Sequence, residues 1–227
     1  MKEVCKMTMT NVKLKEELSM RIKRLGAWLM VLVCCLGLLS VSASAYTADR
    51  DLLMKRMNAN AFKGRITYAS MYNIDKVSAG DLKAAAEEMR RINAKVIYNF
   101  DTLKDNEVIA RVTVNPFLVK LEDSYNYNFM LWIDATQTQS YKTAADAYFG
   151  KSTAVIITAH YNYGMSVVIS AKLNLTGMDT ANLAAYSYNA TTGAYTLIEN
   201  ANVTVDSAGF THLQTAGAAG YIIIVEK

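Results

Sequence analysis

The chain has 227 residues, of which 52% are hydrophobic, and a formal net charge of +4. Its three cysteines, Cys5, Cys34 and Cys35, all lie in the first 45 residues. The other 182 residues therefore exclude disulfides, a thiol nucleophile and thiolate metal sites. They must be stabilised by burial of apolar surface, and they are numerous enough for one large domain or two small ones.

The first predicted element is a secretory leader. Residues 21–45 place three cationic side chains before an apolar run and end in Ala43-Ser44-Ala45. This is the order of a signal peptide, so we predict that residues 1–45 are a leader that is cut after Ala45. The alternative is a membrane anchor formed by uncleaved residues 27–45, although their most apolar part is shorter than the ~20 residues that a span requires.

The positive charge of the chain belongs to this leader. Residues 1–45 hold seven of the 24 Lys and Arg and three of the 20 Asp and Glu, which leaves 17 residues of each sign in the mature chain. Nucleic-acid binding needs a clustered basic face, and the sequence has no such cluster after Arg24. The net charge therefore favours export and excludes nucleic acid as the expected partner.

Residues 46–60 are predicted to be a linker or a short helix, and residues 61–227 a β-rich domain with a subdivision near residue 176 left open. Apolar residues alternate at period two through most of this domain, as in half-buried antiparallel strands, and polar residues such as Arg111 and Ser170 alternate with them, which predicts one dry and one wet face of the sheet. The segments begin at Ile66, Val96, Val108, Phe117, Tyr127 and Val167. Residues 155–158 and 221–225 are apolar on both faces, which predicts interior strands.

Two helices are predicted between these strands. Ser78 and Asp81 form a capping-box-like start, and apolar residues at helical spacing follow from Leu82 to Ile92. The second helix covers residues 139–149 and ends at Gly150. Pro116, the only proline, lies between two strand patterns and should interrupt the ladder.

The C-terminal part reads as a meander of short strands. Residues 189–193 and 206–209 are turns that each end in a glycine able to adopt a positive φ. The pattern resembles the C-terminal β-module of secreted and surface proteins of Gram-positive gut bacteria. The residues that carry this resemblance are Leu183, Tyr186, Tyr188, Asn189, Thr192-Gly193, Val203, Asp206, Gly209 and Tyr221 to Val225.

The resemblance extends over most of residues 77–227, because the helix from Ser78 and the segments at 128–135 and 159–160 resemble the region that precedes this module. It implies a non-catalytic module of secreted or surface proteins. Members often have a histidine and an aspartate shortly before the final tyrosine, where this chain has Gly217 and Gly220. A binding role of that polar pair would therefore be lost here.

The sequence offers weak candidates for chemistry. His160 and His212 lie on strand patterns near turns, and the chain has no nucleophile-elbow glycine pattern around a serine, so we expect surface histidines and no catalytic residue. Asp101, Asp105 and Glu107 supply oxygen ligands that Ca²⁺ could use, but without the EF-hand spacing. We therefore expect no cofactor and no metal, with this acidic loop as the only weak metal candidate.

All 14 tyrosines follow the leader. Exposed aromatic rings can stack on sugars or partner proteins, whereas tyrosine in strands commonly packs across the sheet. Tyr161 and Tyr163, which we place beside a hairpin tip, and Trp132 are the candidate ligand-binding residues.

These patterns together predict a mainly β, antiparallel sandwich-like domain with two short helices. The expected function is that of an exported, non-enzymatic interaction or structural module whose partner is a protein or a glycan. A carbohydrate-binding domain that uses exposed tyrosines is the alternative, and an unrecognised hydrolase ranks third. Contact with a membrane is expected only through an uncleaved leader.

Overall fold

The computed structural model describes residues 46–133, 136–159, 163–215 and 220–227, without the side chains of residues 136 and 137. The predicted leader, His160, Tyr161 and Gly217 lie outside the described residues. The described part of the chain is mostly β and, from Tyr46 on, groups into one unit by its internal contacts.

Fourteen strands and three helices are present among the described residues. The helices are α1 (Arg50–Asn60), α2 (Ala79–Arg91) and α3 (Thr136–Phe149). The strands are β1 (Tyr46–Thr47), β2 (Ile66–Tyr72), β3 (Ile74–Ser78), β4 (Lys95–Lys104), β5 (Glu107–Val114), β6 (Asn126–Tyr127), β7 (Leu131–Trp132), β8 (Thr153–Thr158), β9 (Val167–Lys172), β10 (Leu183–Asn189), β11 (Ala194–Leu197), β12 (Thr204–Val205), β13 (Phe210–Thr215) and β14 (Tyr221–Glu226).

The strands form a five-stranded sheet in the order β11-β10-β14-β8-β7 and a six-stranded sheet in the order β12-β13-β9-β5-β4-β2. A small third sheet has the order β1-β3-β6. The prediction of interior strands at 155–158 and 221–225 is confirmed, since β8 and β14 each have a neighbour on both sides.

The predicted mainly β fold is confirmed, but its sheets are mixed and not only antiparallel, and a third helix is present among the described residues. Strand β2 pairs with β4 in parallel, and β1 pairs with β3 in parallel. The β2–β4 pairing is parallel because α2 lies between these strands and carries the chain back to the starting end of the sheet, as in a crossover connection. Helix α1 occupies the segment that was predicted to be a linker or a short helix.

The predicted helix boundaries follow from local capping. The Ser78 hydroxyl accepts a hydrogen bond from the Asp81 N–H and donates one to the Asp81 carboxylate, so the capping box before α2 is confirmed. Helix α3 ends before Gly150, whose φ of 64° is the left-handed value expected at this position. Asp49 caps α1 by accepting from the Leu52 N–H.

The strand predicted from Phe117 to Leu121 is wrong. Residues Pro116–Leu118 form a single 3-10 turn that Asn115 caps by accepting from the Phe117 N–H. Proline has no N–H for a sheet ladder and its ring fixes φ, so the chain leaves the sheet here instead of continuing the alternation.

The C-terminal turns are confirmed, but the meander is wrong. The turns before Gly193 and Gly209 close the β10–β11 and β12–β13 hairpins, and both glycines have a positive φ. The two hairpins belong to different sheets, and β14 then inserts between β10 and β8. Strands β8 and β9 are likewise in different sheets, so the segment between them is a crossing and not a hairpin tip.

One cluster of buried side chains draws on both large sheets and on α1 and α2. A column of aromatic rings lies inside it, with Phe129 stacked on Phe100 at 4.2 Å and on Tyr127 at 5.1 Å between ring centroids. Burial, and secondarily the neighbouring Tyr125, raises the pKa of Tyr127 to about 12. Within the described residues, the helices are too short or too polar to cross a membrane.

Candidate functional site

The six-stranded sheet has one face in the core and one face toward solvent, which we call the open face. On β2, Ala69 and Met71 are buried in the core, whereas Ile66, Tyr68 and Tyr72 are exposed. The alternation predicted for β2 is therefore real, but Ala69 and Met71 face the core, and the predicted apolar pair Ile66 and Tyr68 faces solvent. A dry and a wet side, as predicted from the alternation, both exist in this sheet.

Strand register brings five side chains into a line across the open face, which we call the polar row. Tyr72 pairs with Asp101, Asp101 with Arg111, Arg111 with Ser170, and Ser170 with His212. Neighbouring strands are about 4.8 Å apart, so laterally paired residues on one face are in contact distance of their neighbours. Residues from β2, β4, β5, β9 and β13 therefore meet in one place.

The centre of the polar row is an ion pair between Asp101 and Arg111. Arg111 donates two hydrogen bonds, from Nε to Oδ1 at 2.5 Å and from Nη2 to Oδ2 at 3.1 Å. The Asp101 side chain is 1% exposed and the Arg111 side chain 36% exposed. The hydrogen bonds to Asp101 raise the pKa of Arg111, against an opposing effect of burial. This forked geometry fixes the guanidinium on the open face.

At the other end of the polar row, Ser170, His212 and Asp206 form a hydrogen-bonded chain. The Ser170 Oγ lies 2.8 Å from His212 Nδ1, and His212 Nε2 lies 2.9 Å from Asp206 Oδ2. Asp206 Oδ1 also accepts from the N–H groups of Ala208 and Phe210 at 2.9 Å each. The hydrogen bond from His212, and then the one from the Phe210 N–H, lower the pKa of Asp206.

The carboxylate of Asp206 fixes the tautomer of His212. A carboxylate only accepts hydrogen bonds, so His212 Nε2 carries a hydrogen and donates it to Asp206. In the neutral ring, Nδ1 is then the acceptor, and the Ser170 hydroxyl donates to it. The Ser170 oxygen, in a residue that is 5% exposed and lines the depression described below, can still accept a further hydrogen bond.

Beside this chain the open face has a depression of about 470 Å³. Lys172 lies 3.6 Å from the Glu107 carboxylate and 5.3 Å from the centre of the Phe210 ring. The volume is within the ~300–1,000 Å³ typical of small-molecule sites, and the lining is more polar than is usual in them, with Phe210 supplying a large apolar surface. The lining residues are Glu107, Val108, Arg111, Ser170, Lys172, Asp206, Ala208, Phe210 and His212.

The predicted ligand-binding residues are not part of this site. Tyr163 is fully buried and stacks on Phe129 at 5.6 Å, so the expectation of an exposed ring is wrong. Burial raises the pKa of the Tyr163 phenol. The neighbouring Gly164 has a φ of 61° and an added Cβ would lie 2.6 Å from Leu121, so the chain is pressed inward here. Trp132 is half-buried in the edge strand β7, and Tyr161 lies outside the described residues.

The predicted acidic loop is divided between a strand and a turn. Asp101 lies inside β4 and is bound to Arg111, whereas Asp105 and Asn106 form the tight β4–β5 turn with positive φ values of 52° and 63°. Asp105 therefore supports a type I′ hairpin turn, for which Asp and Asn are suited. Within the described part of the chain, no group of three or more His, Cys, Asp and Glu side chains could hold a metal ion.

The tyrosines of β10, β11 and β14 lie on a different surface. This surface is the outer face of the five-stranded sheet, which α3 covers. Tyr141 of α3 lies 4.3 Å from Tyr221 between ring centroids, and Tyr148 stacks on Tyr195 at 4.4 Å. Tyr188 lies 4.7 Å from Tyr195 across the hairpin. We call this surface the covered face; its tyrosines pack against the helix and against one another.

A scan against protein-family models finds no match for this chain, and a search of curated proteins finds no similar sequence. The geometry of the open face is therefore the basis for any functional conclusion. The alternation of apolar and polar residues predicts that Arg111 and Ser170 lie on the wet side of their strands. It does not predict that Asp101, Arg111, Ser170 and His212 lie side by side.

Proposed function

We propose that this chain is an exported, non-enzymatic interaction module of a bacterial secreted or cell-surface protein, and that the open face is its binding surface. Two sheets packed in a sandwich-like arrangement provide the rigid support. The leader pattern supports export, and the resemblance of residues 77–227 to a module of Gram-positive surface proteins supports the class. Release into the medium is the proposed location, with an uncleaved leader as the alternative.

The observation that carries the proposal is the depression beside the polar row. Two of its charged side chains are already held in place by hydrogen-bonded partners within the chain, Arg111 by Asp101 and Asp206 by His212, and Lys172 lies 3.6 Å from Glu107. Side chains fixed in this way bind a ligand at a small entropic cost, because their rotamers are set before binding. A surface whose side chains are fixed before binding is suited to recognising a ligand.

Ser170, His212 and Asp206 are the residue types of a hydrolytic triad, so catalysis is the competing function. Two geometric facts favour binding. Ser170 lies in β9 between β5 and β13, so the sheet ladders on both sides use the backbone groups around it that an oxyanion hole would need. Asp206 is a turn-forming residue that accepts from Ala208 and Phe210 and orients His212 for the hairpin.

The proposal is tested by expressing the full chain in a Gram-positive secretion host and measuring its retention on immobilised polysaccharides, glycoproteins and peptides. The double variant Lys172→Ala/His212→Gln alters the depression. The matched control is Tyr148→Ala, which removes an exposed ring from α3 on the covered face. We expect the double variant to lose retention on at least one class of material while the control keeps it.

Equal retention of both variants on every material would contradict the open face as the binding surface. Turnover of ester or amide substrates that is lost in Ser170→Ala would show that the chain is an enzyme instead.

Export is tested separately by N-terminal sequencing of the protein recovered from the medium. A start at Tyr46 supports cleavage and release. Retention of residues 27–45 in a membrane fraction would overturn release in favour of anchoring.

A further inference from the structure

The depression on the open face combines features that select for one ligand chemistry. We propose that it binds an uncharged saccharide, whose hydroxyl groups add to the ion pairs of the depression and whose apolar face lies on the ring of Phe210. This inference rests on the proposed function, because it names the ligand class of the same surface.

The charges that line the depression favour an uncharged ligand. Among the lining residues, Arg111 and Lys172 are cations and Glu107 and Asp206 are anions, so the depression has no excess of either sign when His212 is neutral. An anionic ligand that took Arg111 from Asp101 would leave a carboxylate that is 1% exposed without its partner, and one that approached Lys172 would meet the Glu107 carboxylate 3.6 Å away. Stranding a buried charge is strongly unfavourable, which disfavours acidic ligands.

Hydrogen-bond geometry is the second argument. Lys172 Nζ and Glu107 Oε2 are 3.6 Å apart, which is longer than the ~2.7–3.2 Å of a direct N–H···O hydrogen bond. A group that both accepts and donates fits against such a pair, as a bridging water does. A sugar hydroxyl has this dual character, and it can accept from Lys172 while donating to Glu107 without separating the two charges.

The Ser170 and His212 side chains add to the same selection. Because the Ser170 hydroxyl donates to His212, its oxygen is left as an acceptor for a ligand donor. A second hydroxyl of the ligand can therefore donate to Ser170, which precedes Lys172 by two residues in the same strand and so lies about 6.7 Å from it along the strand. Hydroxyls on different sides of a sugar ring, or on adjacent sugar units, supply donors and acceptors at this separation.

The aromatic ring is the third argument. Phe210 is stacked beside His212, with ring centroids 6.4 Å apart and planes inclined by 27°, so the two rings form one aromatic group at the depression. The C–H face of a sugar ring is apolar and matches an aromatic surface, whereas a peptide backbone would bring N–H and C=O groups against it. The depression thus combines aromatic and charged side chains in its lining.

The experiment uses the secreted full-chain product and isothermal titration with three probe sets: neutral oligosaccharides, the same oligosaccharides carrying uronic acids, and a peptide panel. We expect the neutral set to contain a ligand. The affinity should change by less than about twofold between low and high salt, because an uncharged ligand has no charge for salt to screen.

Phe210→Ala should weaken the binding about tenfold, since aromatic contacts of this size contribute roughly 1.4 kcal/mol. Glu107→Gln keeps the shape of the exposed side chain and should weaken binding by a smaller factor through loss of the charged acceptor. Tyr148→Ala is the control and should bind as the unchanged chain does. Equal thermal midpoints of all variants show that each is folded.

Ligands confined to the uronic-acid set, or an affinity that falls steeply with salt, would overturn the inference in favour of an acidic ligand. Binding of a neutral sugar that is unaffected by both Phe210→Ala and Glu107→Gln would place the sugar elsewhere. If only peptides bind, and the open-face variants abolish that binding, the saccharide inference fails while the proposed function stands. If no probe depends on the open face, both fail.

Discussion

The outer faces of the two large sheets are built in opposite ways. The covered face lies under α3 and is aromatic, with Ala145, Val155 and Ile223 buried between rings. The open face lies on the opposite side of the core and is crossed by the polar row, in which Asp101–Arg111 and Ser170–His212 hold one another in place. Both faces carry large side chains, but among the described residues only the covered face has a helix packed on it.

The residue type that is most enriched in the chain is therefore not the one that lines the proposed binding surface. Tyrosine is the enriched residue of the chain, and several of its rings form the packing between α3, β10, β11 and β14. His212 is the one histidine within the described residues, and it lies at the depression. Tyrosine, the frequent residue, packs the covered face, whereas histidine, the rare residue, lies on the open face.

The largest expected effect tests whether the covered face is structural. Ile223→Ala removes a fully buried side chain beneath α3 and should lower the free energy of unfolding by about 2–5 kcal/mol. Tyr68→Ala, at a side chain that is 60% exposed on the open face, should change it by less than about 0.5 kcal/mol. Urea denaturation measures both. An equal loss in the two variants would mean that the open face is covered in solution.

The next effect tests the centre of the polar row. Arg111→Met leaves the Asp101 carboxylate buried without its partner and should cost about 2–3 kcal/mol, less than for a fully buried pair because Arg111 is partly exposed. Asp101→Ala leaves a guanidinium that water can reach, so it should cost about half as much. The double variant should be more stable than Arg111→Met alone. A double variant as unstable as the sum of the single ones would show that the pair is not coupled.

Local features of the fold were predictable from sequence because they depend on neighbouring residues. The Ser78 cap, the end of α3 at Gly150 and the apolar runs of β8 and β14 each follow from a few adjacent side chains. The pairing of the strands could not be predicted in the same way. Period-two alternation shows that a strand has two different faces, but it does not show which strand lies next to it. Asn73, with a φ of 51°, bends the chain between β2 and β3, and alternation alone gives no sign of that bend.

The candidate site was predictable only in its parts. Alternation placed Arg111 and Ser170 on a wet face, but their contact arises from the β5–β9 register, 59 positions along the chain. The run of polar residues from Asp101 to Glu107 predicts a loop, but β4 continues to Lys104 and only Asp105 and Asn106 form the turn. Tyr163 was misplaced because a crossing between two sheets has the same sequence pattern as a hairpin tip.

A smaller effect tests the aromatic packing of the covered face. Tyr195 contacts Tyr148, Phe149 and Tyr188, with ring centroids 4.4, 5.2 and 4.7 Å away. Tyr195→Ala should lower the free energy of unfolding by about 1 kcal/mol and leave ligand retention unchanged. Tyr195→Phe keeps the ring and should restore most of the stability. Loss of retention in Tyr195→Ala at unchanged stability would instead place a binding surface on the covered face.

The smallest effect links the open face to pH. The hydrogen bonds from His212 and Phe210 lower the pKa of Asp206, so the folded chain binds this proton less tightly than the unfolded chain does. Their contribution to stability is therefore complete above the unfolded value of about 3.9 and disappears as the pH falls through the lower folded value. Asp206→Asn can still accept from Ala208 and Phe210, but it removes this titration.

Thermal unfolding between pH 2 and 7 should accordingly show a midpoint that falls more steeply in acid for the unchanged chain than for Asp206→Asn, with the two curves converging at the acid end. His212→Gln should lie between them, because it removes one of the causes and keeps the backbone N–H donors. Parallel curves for all three would mean that Asp206 does not stabilise the β12–β13 turn as a carboxylate. The Ser170–His212–Asp206 chain would then be a surface contact without influence on the shape of the depression.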